Sequence, residues 1–238
     1  MYNFLTTPTV TWCEYLTQKT SIVTELTNSI SNIAYPIAGI MAGGLDIPEI
    51  ATANLVMCLV GVGSLIFHST STFLGQICDE GAMSILAYRY FRITREIIDH
   101  IEDTPIHFTA AYDSLYIGFT GIVWLVYLTT RIHEVFLAMF TLQIAYPIIM
   151  TISIPTTNSE KISMGCGFLS LGLGKACWEY ERYLYRGDLC PTNFYDPLYY
   201  LHSMWHVWSA MAHYYLMKTW ISISRRTNGN RQRKYWTA

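Results

Sequence analysis

Charged side chains are scarce in this sequence. Asp, Glu, Lys and Arg make up 13% of it, against about a quarter in soluble domains, so a water-soluble globular fold is set aside at the start. An internal repeat and a low-complexity linker are also missing, and no loop is long enough for a second domain. Residues 1–238 therefore read as a single membrane domain. The first twenty residues lack the charged start and apolar core of a cleavable signal peptide, and carry Trp12-Cys13-Glu14 instead. The first apolar stretch is then its own targeting signal.

Hydrophobic side chains fill the space that charge leaves, at 52% of the chain. Stretches long enough to cross roughly 30 Å of hydrocarbon lie near residues 22–44, 48–71, 76–96, 108–129, 133–153, 161–182 and 197–222. The expected fold is all-α, a bundle of seven transmembrane helices. Gly43-Gly44-Leu45-Asp46-Ile47-Pro48, Thr104-Pro105, Pro155 and Asp196-Pro197 mark helix ends, while Pro36 and Pro147 should kink the spans that contain them.

An odd number of spans puts the termini on opposite sides, and the Lys/Arg bias chooses between them. With the N-terminus outside or lumenal, the cytosolic face gains Arg89, Arg92, Arg95, Lys161, Lys218, Arg225, Arg226, Arg231, Arg233 and Lys234. The other face keeps Lys19, Arg131, Arg182 and Arg186. Residues 1–21 become a lumenal segment and 224–238 a basic cytosolic tail. The formal charge of −2 hides this polarity. The tail reads as a positive-inside anchor, with an anionic-lipid or retention signal as the second reading. It is too short, and too directly joined to a span, to bind nucleic acid, and no obligate protein partner is implied. An endomembrane location, endoplasmic reticulum or Golgi, is expected. Cys58, Cys78, Cys166 and Cys177 lie in or beside spans and read as packing residues. Cys13 and Cys190 fall on the oxidising side, where a disulfide can form; a shared compartment alone does not establish the bond.

Ionisable residues inside spans are costly, and each needs a named partner. Span 2 ends near His68, span 3 begins on that side with Asp79, and span 7 begins there with His202 and His206. His202 and His206 share a helix face at i, i+4, as do Ser64 and His68. Zinc suits this set, since it takes three imidazoles and keeps a fourth position for water in hydrolytic sites. His213 lies on the same stripe about two turns deeper and reads as a hydrogen-bonded core residue, and His100, His107 and His133 receive no role. On span 1, Glu25, Asn28 and Asn32 share a face. Two readings stay open for them: with Glu14, an oxygen-rich site for a hard cation, or bonds across to neighbouring helices.

The sequence resembles the alkaline ceramidases, within a superfamily of seven-span membrane hydrolases that includes the adiponectin and progestin receptors. Trp12-Cys13-Glu14 is similar to the family's opening motif, and Glu25-Leu26-Thr27-Asn28-Ser29-Ile30-Ser31-Asn32 to its E-x-x-N-x-x-S-N first span. Ser64-x-x-x-His68, Gln76-Ile77-Cys78-Asp79-Glu80 and His202-Ser203-Met204-Trp205-His206 match its remaining blocks. The resemblance implies zinc held by His68, His202 and His206, with Ser64 and Asp79 around the reacting water. It further implies calcium near the Trp12 carbonyl, Glu14 and Glu25, and a Cys13–Cys190 disulfide. Thr11 and Leu16 stand where the family has an acid and an asparagine, which weakens the calcium set, and Gly81-Ala82 replaces its Leu-Pro.

The expected reaction is hydrolysis of the ceramide amide to a sphingoid base and a fatty acid. Asp79 shuttles the proton and Ser64 donates to the oxyanion. Aromatic residues, 15% of the chain, read mainly as an interfacial belt. The competing readings are a seven-span lipid-binding receptor with structural zinc, and a hydrolase of another lipid amide or ester.

Overall fold

The structure, a computed structural model, describes residues 6–17, 23–102 and 106–236, without the side chains of 106–109 and 228–236. Lys19, Thr104-Pro105 and the side chains of His107, Arg231, Arg233 and Lys234 lie outside the described residues. The helices are α1 Cys13–Thr17, α2 Leu26–Ser31, α3 Ala34–Ala42, α4 Pro48–Thr70, α5 Phe73–Glu102 and α6 Ile106–Thr130. They continue with α7 His133–Ser153, α8 Asn158–Arg186 and α9 Leu201–Trp236, the last preceded by a 3₁₀ turn over Pro197–Tyr200. Strands are absent among the described residues.

Each expected apolar stretch coincides with a helix or, in the first case, with a pair. Pro36 lacks the N–H that would continue the ladder to the carbonyl of Asn32, so that carbonyl is taken by Tyr35 N at 3.2 Å. The chain turns at Asn32–Ile33, and Pro36 sits in the first turn of α3, where its missing N–H costs little. Helix α3 ends at Gly43 and Gly44, whose φ values of +74° and +73° favour glycine. Pro48 then opens α4. Thr157 closes the N-terminus of α8: Glu160 N–H donates to its hydroxyl and Thr157 N–H donates back to the Glu160 carboxylate.

Among the described residues, three helical stretches are long and apolar enough to cross a membrane: Pro48–Thr70, Ala110–Thr130 and His133–Ser153. This is a membrane protein. Of the most apolar window, 56% is buried in α4 but 6% in α6, so α4 runs through the bundle and α6 stands at its rim. Isoleucine and leucine side chains such as Ile40, Leu55, Leu115 and Ile122 face outward, an apolar exterior that lipid tolerates and water does not.

Between apolar lipid and apolar core the hydrophobic effect drives little helix association, so close backbone approach and cross-helix hydrogen bonds matter more. Glycine supplies the approach. A Cβ on Gly63 would lie 2.6 Å from the Cys78 carbonyl oxygen and 3.1 Å from the Asp79 Cα, which puts α4 directly against the first turns of α5. The main core, with Tyr35, Ile50, Met57, Ile93, Met217 and Trp220, fills the space between α3, α4, α5 and α9.

The two ends of the bundle differ. At one, Arg89 pairs with Glu49, Arg92 with Asp113, Arg225 with Asp46 and Arg226 with Glu160. These residues come from the starts of α4, α6 and α8, the ends of α5 and α9, and the α3–α4 turn. The end of α4 and the starts of α5, α7 and α9 meet at the other end, with the polar residues of interest.

Candidate functional site

His68 on α4 and His202 and His206 on α9 converge: one ring nitrogen of each lies within 4.8 Å of those of the others. All three are buried, at 1–3% exposure. Burial of polar rings is tolerable where each nitrogen has a task, and the partners can be read off. His68 Nδ1 donates to Glu25 Oε2 at 2.5 Å. Ser31 spends its only proton on the Asn28 carbonyl, so it accepts from His206 Nδ1 at 2.7 Å. His202 Nδ1 lies 3.3 Å from Glu181 Oε2 on α8. Where Nδ1 carries the proton, Nε2 keeps a lone pair, and His68 Nε2 is buried with no partner among the described residues. His68 thus has the arrangement of a metal ligand, Nδ1 fixed by a carboxylate and Nε2 free; the His206 Nδ1 is held by a hydroxyl, and the His202 Nδ1 lies beside a carboxylate without a hydrogen bond among the described residues. Three converging buried imidazoles, one of them with its Nε2 orphaned, fit zinc.

Short helix α2 places the holding groups. Glu25 lies just before it, and Asn28 one turn on donates to Glu25 Oε2 at 3.0 Å and accepts from Ser203 on α9 at 2.9 Å. Of the two readings left open for this face, the geometry carries the bonds across to neighbouring helices. Glu14 caps the N-terminus of α2, accepting from Thr27 N, Thr27 Oγ1 and Asn28 N at 2.7–2.9 Å. The Trp12 carbonyl accepts from Tyr15 N. The oxygens that the resemblance offers to calcium thus face N–H and O–H donors of the protein, and Thr11 and Leu16 add no carboxylate. They do not fit a hard-cation cage, which takes six to eight oxygens.

Residues 6–17 strap across this end. Thr9 exchanges two hydrogen bonds with Gln76 at 2.7 Å each, and Cys13 N donates to Glu181 Oε1 at 3.0 Å. Cys13 is joined to Cys190. Trp12 lies over the His202 ring, centroids 3.7 Å apart, and meets Trp178 edge-on.

Behind the strap lies a cavity of about 330 Å³ between α4, α5, α7, α8 and α9. Ser64, Asp79, His202 and His206 form part of its wall, together with apolar and aromatic side chains such as Phe140 and Trp220. Ser64 is within hydrogen-bonding reach of Asp79, which also interacts electrostatically with His68. The contact at Gly63 sets this pair, since Ser64 follows it and Asp79 sits opposite. His213 is satisfied by Tyr90 and Asn54 at 2.7 and 3.0 Å, as a core residue should be. Sequence reasoning missed His133 and left Glu80 without a role: both line the cavity, His133 Nε2 3.4 Å from Glu80 Oε1. Helix counting placed His133 at a span end but could not show which way it faced.

Imidazoles placed so that they could hold a metal, with an acid and a hydroxyl at the wall of an apolar cavity, are the equipment of a lipid hydrolase. The profile of the Ceramidase family matches residues 5–238, and the chain belongs to that family. It is 24% identical over 207 residues to "Putative alkaline ceramidase dcd3B" of Dictyostelium discoideum, a match covering 79% of this chain and 69% of that protein. The protein is accordingly a ceramidase-type hydrolase acting on amide bonds, with a ceramide-type lipid as its substrate.

Proposed function

We propose that the chain is a zinc-dependent intramembrane ceramidase that cleaves ceramide to a sphingoid base and a free fatty acid. The observation that carries this reading is the buried histidine trio, in which Glu25 and Ser31 hold the Nδ1 atoms of His68 and His206, Glu181 lies 3.3 Å from that of His202, and His68 Nε2 has no partner among the described residues. Zinc, when bound there, supplies a Lewis acid that acidifies water and polarises the amide carbonyl.

The chain's own residues do the rest. Glu25 and Ser31 hold His68 and His206 in the tautomer that presents Nε2. Asp79 takes a proton from the attacking water and returns it to the departing nitrogen, which leaves readily only when protonated. In the free protein the Ser64 hydroxyl is in reach of Asp79. Once Asp79 is protonated, that hydroxyl is released to donate to the carbonyl oxygen as negative charge develops there. The cavity accommodates the acyl chain, and the Trp12 strap excludes water from the reacting end. We assign no step to calcium: hydrogen bonds and the Cys13–Cys190 link close the strap.

The same reading makes residues 1–238 one domain of seven spans, counting α2–α3 as the first. The strap is lumenal and the basic tail cytosolic, in an endoplasmic reticulum, Golgi or other endomembrane. It is supported by the pairing of Arg89, Arg92, Arg225 and Arg226 at the end away from the histidines. Incubating purified protein with a panel of ceramides, other lipid amides and lipid esters, with and without a zinc chelator, tests the function. Chelator-sensitive release of sphingoid base from ceramide is expected; release that ignores the chelator, or occurs only from esters, contradicts it.

A further inference from the structure

A second carboxylate shares the cavity with Asp79. Glu80 is 4% exposed, and its two oxygens have unequal partners. Oε1 accepts from Gln76 Nε2 at 2.8 Å and lies 3.4 Å from His133 Nε2. Oε2 is buried and has no partner among the described residues. Asp79 and His133 adjoin this carboxylate, and the Tyr127 hydroxyl is in hydrogen-bonding reach of it while also contacting Gln76 at 2.9 Å, yet Oε2 itself is left without a bond. A buried acceptor without a donor is costly to leave unmade, and this one belongs to a residue on the cavity wall. Gln76 is itself held by Thr9 of the strap, so Glu80 is fixed from both sides with Oε2 left over.

The substrate can supply the missing donor. A ceramide is an N-acyl amino alcohol: its chains carry no donors, its amide N–H belongs to the reacting centre, and its alcohol O–H groups sit within two bonds of the carbon that bears the nitrogen. Asp79 and Glu80 are consecutive on α5 and so diverge by about 100° around the helix. One can serve the amide while the other reaches an adjacent group. We propose that Glu80, steadied by His133 and Gln76, accepts a hydrogen bond from an alcohol of the amino-alcohol headgroup and makes the enzyme selective for N-acyl amino alcohols over plain N-alkyl amides. This rests on the amide-hydrolase reading above. It gives Glu80 a binding task separate from the proton transfer at Asp79.

The test measures kcat/KM of the purified full chain on four substrates: ceramide, its analogue lacking the primary hydroxyl, its analogue with the secondary hydroxyl methylated, and an N-alkyl fatty amide with neither. A hydrogen bond to a charged group is worth roughly 10- to 100-fold, so wild type should favour ceramide by that factor over the analogue missing the recognised hydroxyl. The two single analogues show which alcohol it is. In Glu80→Ala the ratio should collapse toward one with zinc content retained. Glu80→Gln, which still accepts through a neutral oxygen, should keep part of it. His133→Ala provides a second variant that lowers the ratio without altering the carboxylate itself. Equal rates on all four substrates in wild type would overturn the proposal, as would Glu80→Ala and His133→Ala lowering every rate by one common factor. Absence of turnover on any amide by zinc-loaded wild type would instead overturn the hydrolase reading, and this inference with it.

Discussion

Gly63→Ala adds one methyl group at the point where α4 and α5 touch. The new Cβ would lie 2.6 Å from the Cys78 carbonyl oxygen, 2.9 Å from its carbon and 3.1 Å from the Asp79 Cα. These are backbone atoms of a helix, so no side-chain rotation relieves the clash. To reach the 3.4 Å of ordinary contact, the first turns of α5 must retreat by about 0.8 Å, because packed interiors have no slack to absorb the methyl. That carries Asp79 away from Ser64 and from the space beside the histidines. A misplacement of about 1 Å at a reacting group costs up to roughly 100-fold in rate, so kcat on ceramide should fall about 10- to 100-fold. Zinc content should be unchanged, because His202 and His206 are on α9 and His68 is more than a turn beyond the contact. Gly81→Ala is the control: it also lies on α5, but its added Cβ meets nothing within 4 Å. The assay is release of sphingoid base by both variants in the same detergent, alongside metal analysis. If Gly63→Ala turns over ceramide as fast as Gly81→Ala, the claim that this approach positions Asp79 is wrong.

Asp79→Asn keeps size and hydrogen bonding but cannot shuttle a proton. Zinc should be retained and turnover should drop by roughly 10²–10⁴-fold; near-native turnover would move the proton transfer to another group. Calcium added to chelator-treated, zinc-reloaded enzyme should stimulate weakly, or at millimolar levels, since Glu14 is spent on capping α2. Saturable activation at micromolar calcium, abolished by Glu14→Gln, would show that the strap does build a cation site. At the opposite end, burial tends to raise the Glu160 carboxyl, but the Thr157 N–H, Arg226 and Ser222 hold it below its ordinary value of 4.5. A depressed value means that its stabilisation is complete above about pH 4.5 and is lost as pH falls through the folded value. The melting-temperature gap between wild type and Glu160→Gln should therefore narrow on acidification, and a gap that widens contradicts the assignment.

Depth in the bundle was legible in the sequence, and facing was not. Counting along apolar stretches brings His68, Asp79, His202 and His206 to one end because helix rise is fixed. The i, i+4 spacing then settles which residues share a face of one helix. How two different helices are turned toward each other depends on interhelical contacts, which no spacing encodes. That is why Glu25 stayed open between cation ligand and cross-helix partner until His68 was seen against it. It is also why His133, at the first residue of α7, gave no sign of meeting Glu80. Gly63 reads as one more apolar-span glycine until the carbonyl of Cys78 lies across from it. The break at Asn32–Ile33 was half visible, since Pro36 announces a disturbance but not that the helix restarts before it.

Zinc content per chain, measured by elemental analysis on purified wild type and on His68→Ala, His202→Ala and His206→Ala, tests the central claim most directly. Each variant removes one of three protein ligands. The account predicts one zinc in the wild type, and loss of both metal and ceramide hydrolysis in each variant while the protein still inserts and purifies as a folded species. A variant that keeps its full zinc and its activity would contradict the three-histidine centre on which the mechanism stands.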